Sequence, residues 1–240
     1  MSGSWVLMIL IFISSLPVIA VYIWFRLAKY QLPLVKFLFA LLAGAAAFFP
    51  AVIMQDFLNI SFSAKGRGPL FYEFFFRIAF TEEISRFLML FIFFWINKHF
   101  SAEKNKLSSF TAVKEGTAIG LIAGLGFALL ENARYAASEM NIVIVILRIF
   151  TAAIHGACGS RIGAAAVLIR TSPTQAFLRI LTATAIHGIY NLMVSGSGLS
   201  PFAAILIAIS ALITTIITIR GGWNTESSIP DNELDKTVQK

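Results

Sequence analysis

Cysteine is nearly absent from this chain: Cys158 stands alone, which excludes an internal disulfide framework and any thiolate metal cluster. Charge is scarce as well. Only 13% of the 240 residues are Asp, Glu, Lys or Arg, against about 25% in a soluble globular domain. In their place stand apolar runs, with 58% hydrophobic residues and a mean hydropathy of +0.82. The acidic residues are outnumbered, 12 to 19, giving a net charge of +7. The basic residues are scattered between apolar runs and form no single patch, so nucleic-acid binding is not indicated. Met1-Ser2-Gly3-Ser4 has no positive region before a first apolar run too long for a signal-peptide core, so no cleaved signal is expected. No internal repeat and no His-Glu-x-x-His motif occur.

What is present reads as an all-α polytopic membrane bundle. Apolar runs predict about seven transmembrane helices, near residues 5–25, 36–58, 70–97, 112–137, 141–169, 175–195 and 201–219. Basic residues near the helix ends set the orientation. Arg26, Lys29 and Lys36 follow the first helix, Lys98, Lys104, Lys106 and Lys114 the third, Arg170 and Arg179 the fifth, and Arg220 the seventh. The other side has Lys65, Arg67 and Arg134 and the charge-free turn Ser195-Gly196-Ser197-Gly198. The positive-inside rule therefore predicts an N-terminus outside and a C-terminus in the cytoplasm of a multi-pass protein of the cell membrane. Residues 1–220 are expected to form one transmembrane domain, with 221–240 a short, polar, disordered cytoplasmic tail.

The charges that remain inside the runs are therefore informative. A charged side chain at the middle of a spanning helix costs about 2.5 to 3.5 kcal/mol, so Thr81-Glu82-Glu83-Ile84-Ser85-Arg86 marks a candidate site. Arg86 lies three and four residues beyond the two carboxylates and can reach either. Neighbouring residues point about 100° apart, so the glutamates must differ in role. One is expected to pair with Arg86 and stay ionised, the other, poorly solvated, to suit proton transfer. A buried structural ion pair is the alternative. Glu73 and Arg77 form a second four-spaced pair, about 180° around an ideal helix from Glu82, and read as interfacial.

In the fourth helix Gly116, Gly120 and Gly124 repeat every four residues on the stripe that carries Phe127 and Glu131, so a neighbour is expected to approach closely there. Asn132 follows, as catalytic support or as interhelical glue. The fifth helix places Arg148, His155 and Gly159 on one face. The sixth places His187 and Asn191 one turn apart, an arrangement suited to a general acid, an oxyanion donor or a metal ligand. Counted from the outer ends, these groups share a depth between the midplane and the outer leaflet, so four successive helices can bring them together.

Taken in order, Glu82-Glu83-x-x-Arg86, Phe127-x-x-x-Glu131-Asn132, His155-x-x-x-Gly159 and His187-x-x-x-Asn191 resemble the PrsW family of intramembrane proteases, itself related to the CAAX-processing and bacteriocin-processing (Abi) endopeptidases. The resemblance covers about Thr81 to Asn191. It implies a membrane endopeptidase in which Glu82 and Glu83 activate water, His187 and Asn191 stabilise the oxyanion, and His155 and Glu131 complete the site. CAAX-type relatives carry His where this chain has Glu131, which favours the PrsW branch over a prenyl-protein substrate. The implied partner is a membrane-anchored protein within the lipid bilayer, cut near its extracytoplasmic side; for this family an anti-sigma factor is the natural example. No cofactor is required by these residues. Adjacent glutamates are awkward ligands for one ion, so direct activation of water by glutamate is expected, with a zinc site drawn from Glu82, Glu83, His155 and His187 as the alternative. The first, second and seventh helices carry no usable motif. A proton- or cation-coupled transporter is the rival from another class, though the paired repeats of many transporters are missing. A noncatalytic scaffold or immunity protein is the third reading.

Overall fold

The computed structural model describes residues 3–30, 32–59, 67–100, 109–139 and 142–226, and among these every regular element is helical. We number seven helices: α1 (Gly3–Leu27), α2 (Leu34–Phe57), α3 (a continuous rod of Arg67–Phe71, Tyr72–Phe80 and Thr81–Phe100), α4 (Ser109–Glu139), α5 (Ile142–Leu168), α6 (Pro173–Val194) and α7 (Ser200–Glu226). Each overlies one of the seven expected runs. Four segments are long and apolar enough to cross a membrane: Leu34–Phe57, Val113–Ser138, Pro173–Val194 and Ser200–Arg220. Ile11–Leu27 is apolar but shorter. The remaining two rods carry the charges, Glu82, Glu83 and Arg86 on α3 and Arg148 and Arg161 on α5. Helix α7 continues through Glu226, six residues into the stretch read as a tail. Lys65, Lys104, Lys106 and the rest of that tail, 227–240, lie outside the described residues.

The bundle is inside out relative to a soluble protein. Its buried centre is made largely of alanine and glycine, while large apolar side chains such as Leu38, Phe39 and Phe49 on α2 or Leu206, Ile213 and Ile217 on α7 face outward. That is the distribution expected when lipid replaces water as the surrounding solvent. Helix α4 is the central rod, in contact with α1, α2, α5 and α7. Its seam with α5 is the tightest. A Cβ on Gly120 would run into the carbonyl of Gly159, and one on Gly124 into the carbonyl of His155. The expected stripe of small residues thus brings α4 against the helix that carries His155. This close approach is what sets Glu131 opposite that imidazole.

Helix α3 departs from an ideal rod. Its stretch Tyr72–Phe80 is π-helical, with wider turns that bond i to i+5, immediately before the Glu-Glu pair. Thr81 closes the π segment, its hydroxyl donating to the carbonyls of Arg77 (2.7 Å) and Ile78 (2.9 Å). Phe71 and Phe75 stack at 4.4 Å along the segment, and the Phe75 ring fills the space beside Gly188 of α6. The wider turns shift the angular phase of everything before Thr81. Glu73 and Arg77 do pair, at 2.5 Å, but Arg77 also donates to the Gln55 carbonyl at 3.0 Å. An ideal helix would have directed this pair about 180° away from Glu82, yet Arg77 and Glu82 both contact Gln55 of α2.

Candidate active site

Glu82 and Glu83, adjacent in sequence, serve two different layers of one cluster. The Oε1 atom of Glu82 accepts from the Gln55 side-chain amide at 3.1 Å. Its Oε2 atom lies 3.7 Å from His187 Nε2, 3.9 Å from His155 Nδ1 and 3.6 Å from Arg86 Nη2. Glu83 turns the other way. Its Oε1 atom accepts from His187 Nδ1 at 2.8 Å and from Arg86 Nη2 at 2.7 Å. The angular offset between neighbours on a helix produces this split, as the sequence pattern anticipates.

Arg86 ties three helices together from a fully buried position. Besides Glu83 it donates to the main-chain carbonyls of Glu82 and His155, both at 3.3 Å, and its guanidinium lies over the Phe127 ring, 4.6 Å from the centroid. On the far side, Glu131 Oε2 accepts from His155 Nε2 at 2.7 Å and forms an ion pair with Arg148, whose Nη2 lies 2.8 Å away. Arg148 in turn donates to Asn132 Oδ1 at 2.7 Å and packs its guanidinium on Tyr135. Glu131 is therefore bound into the cluster and does not merely extend toward Arg134. The two imidazoles meet edge to face, 4.9 Å between centroids.

The tautomers follow from these partners. A carboxylate accepts, so His155 holds its proton on Nε2 against Glu131 and His187 holds its proton on Nδ1 against Glu83. Opposite nitrogens are thereby left with lone pairs, and both of those lone pairs face Glu82. Glu82 Oε2 and His155 Nδ1 are buried with no hydrogen-bond partner. Leaving such atoms unsatisfied is costly unless something outside the chain completes them. One donor atom from each of Glu82, His155 and His187 lies within 4.8 Å of the other two.

This donor set fits a divalent ion. Two imidazoles and one carboxylate with a fourth position left over is a catalytic zinc arrangement, and tetrahedral ligands at their usual bond lengths sit roughly 3.3 Å apart. The observed 3.7 and 3.9 Å spacings to Glu82 need to close by about half an ångström, and the two imidazole nitrogens, within 4.8 Å of each other, must draw together as well. Each imidazole also carries a carboxylate on its other nitrogen, the outer contact that fixes a metal-binding histidine. Glu83, named with them in the alternative zinc set, bonds instead to His187 Nδ1 and Arg86.

Asn191 is half-buried one turn beyond His187, and among the described residues no hydrogen bond joins its side chain to that imidazole. Cys158 is fully buried, its thiol 3.4 Å from the Ala183 carbonyl, and behaves as a small apolar residue. Two participants escaped the sequence reading. Gln55 lies on a helix judged to carry no motif, and its signal is an amide in an otherwise apolar run. Arg148 shares the His155 face, yet only the fold shows that it neutralises Glu131. A cavity of about 80 Å³, walled by Phe48, Gln55, Phe127 and Tyr135, reaches Glu82 and Glu131. It is large enough to admit water.

Neither a curated protein nor a solved structure matches this chain. A family model described as PrsW family intramembrane metalloprotease matches residues 32–219, spanning all the motif-bearing helices and α2. With most of the chain matched, this protein belongs to the PrsW family of intramembrane metalloproteases.

Proposed function

We propose that the chain is a metal-dependent endopeptidase that hydrolyses a peptide bond of a membrane-anchored protein, using Glu82, His155 and His187 to hold one divalent ion, with zinc the best fit. The observation that carries this reading is the convergence of two partnerless buried atoms, Glu82 Oε2 and His155 Nδ1, with His187 Nε2. A zinc ion bound there acidifies its water to a pKa of about 7 and polarises the scissile carbonyl. Glu83 and Glu131 orient the two imidazoles and hold their protons on the outward nitrogens. Arg86 and Arg148 balance those carboxylates in a site with little water. Glu131 also lines the cavity, where its carboxylate is placed to exchange a proton with incoming water.

On the orientation read from the basic residues, the cluster lies between the midplane and the outer leaflet, with seven spans crossing the cell membrane. The substrate is then cut close to its extracytoplasmic side. An anti-sigma factor of a bacterial stress pathway is the substrate type that the family likeness suggests. In this reading His187 acts beside Glu82, which its Nε2 faces at 3.7 Å, and not as the oxyanion donor that the resemblance implies.

A cleavage assay on candidate single-span proteins, with wild type and Glu82→Gln, tests this reading. Wild type should cleave, lose activity to a strong chelator and regain it with added zinc, while Glu82→Gln should be folded, metal-poor and inactive. Cleavage that survives the chelator would return the reading to direct activation of water by glutamate. Proton flux in liposomes that depends on Glu82, without cleavage, would favour the transporter.

A further inference from the structure

We infer that the groove between α5, α6 and α7, at the bundle end predicted to face the cytoplasm, binds the phosphate of an anionic membrane lipid. Two arginines define it. Arg161 and Arg179 line both of its adjoining hollows, of about 380 and 180 Å³. Arg161 donates to the Ala157 carbonyl at 2.7 Å and to Thr214 Oγ1 at 3.0 Å. Among the described residues neither guanidinium has a carboxylate partner, and the charge that Arg179 meets is that of Arg161.

Two like charges held together in a weakly polar setting repel, and the arrangement is favourable only with an anion between them. Among the described residues no carboxylate lies between them, which leaves the place open to an anion from outside. Arg161 lies seven residues before the end of α5 and Arg179 six residues into α6, each about 10 Å from that end of the bundle. Arginine side chains extend toward the headgroup layer from such a depth, and there the abundant anion is lipid phosphate. Guanidinium forks match phosphate oxygens in pairs. Gln175 lines the groove and stands in the first turn of α6, whose N-terminus has no side-chain cap, so further donors open at the same place.

The inference is independent of the protease reading, and so is its test. Native mass spectrometry of the full chain in detergent, titrated with phosphatidylglycerol or phosphatidylcholine, reads the bound lipid directly. Phosphatidylglycerol should bind in preference. Arg179→Gln should weaken it about fivefold and Arg161→Gln/Arg179→Gln roughly 25-fold, the loss expected for one and two basic contacts. Arg220→Gln removes an exposed charge near the same end but outside the groove and should leave the affinity unchanged. Where loss of the Ala157 and Thr214 contacts unfolds the double variant, Arg179→Gln decides, because among the described residues its side chain has no hydrogen bond to lose. Equal binding of the two lipids, or an Arg220→Gln effect as large as that of Arg179→Gln, overturns the inference. Displacement of the lipid by millimolar inorganic phosphate would make this a free-phosphate site and overturn the lipid assignment.

Discussion

The cluster around Glu82 and the groove around Arg161 handle buried charge in opposite ways. In the cluster, three carboxylates meet two guanidiniums, and each of Glu83, Glu131, Arg86 and Arg148 has a short charged or amide contact. One negative charge and two imidazole lone pairs remain, all directed at one point. In the groove two guanidiniums meet hydroxyls and an amide but, among the described residues, no carboxylate. A near-balanced network in which the partnerless Glu82 Oε2 and His155 Nδ1 face one another suits a small dication. An unbalanced pair that opens at the bundle end suits an anion that the bilayer already contains. What each region lacks is therefore as informative as what it has.

Removing a balancing charge should separate the cluster's two layers. Arg86→Met leaves Glu83 buried without its cation, and such a loss costs about 3 to 5 kcal/mol. Thermal unfolding in detergent should show a large drop in stability. The double variant Glu83→Gln/Arg86→Met should recover much of that stability while remaining inactive, because His187 then loses the carboxylate that fixes its tautomer. If the double variant is as unstable as the single one, Arg86 acts mainly through its bonds to the Glu82 and His155 carbonyls. Glu131→Gln should be milder for the fold and harsher for the metal. Loss of an outer carboxylate lowers metal affinity by about 10- to 100-fold, measurable by competition with a chromophoric chelator. An unchanged affinity would take His155 out of the ligand set.

The sequence pattern exposed the helices, the shared depth of the four motifs and the glycine seam, because each depends on spacing along a single helix. Gly120 and Gly124 opposite the helix of His155 is the clearest case. Spacing could not assign the glutamates, since whether Glu82 or Glu83 faces the imidazoles depends on how α3 is rotated in the bundle. The π segment adds to that uncertainty by breaking the 100° rule upstream of Thr81, and so brings Arg77 to Gln55. Asn191 sits at the spacing that suits His187, but the ring is already engaged by Glu83. The metal alternative was hard to weigh for the same reason: adjacent glutamates are poor joint ligands, and only the fold shows Glu83 turned toward His187 Nδ1 and Arg86, away from the group of Glu82, His155 and His187.

Gln55 gives the smallest effect and the finest test of the two layers. Its amide holds Glu82 Oε1 at 3.1 Å, which leaves Oε2 free to face the imidazoles. Arg77 bonds the Gln55 main chain, so Gln55→Ala keeps that contact and the α2–α3 packing it supports. Losing one partly buried hydrogen bond costs about 1 kcal/mol, so thermal stability should drop only slightly and metal affinity should fall by no more than about fivefold. Gln55→Glu should do more, because it sets a second negative charge beside Glu82 and should make metal binding steeper with pH. A loss in Gln55→Ala as great as in Glu131→Gln would mean that the amide controls the rotamer of Glu82 itself. The α2 contact would then be as essential to the site as the carboxylates behind the two histidines.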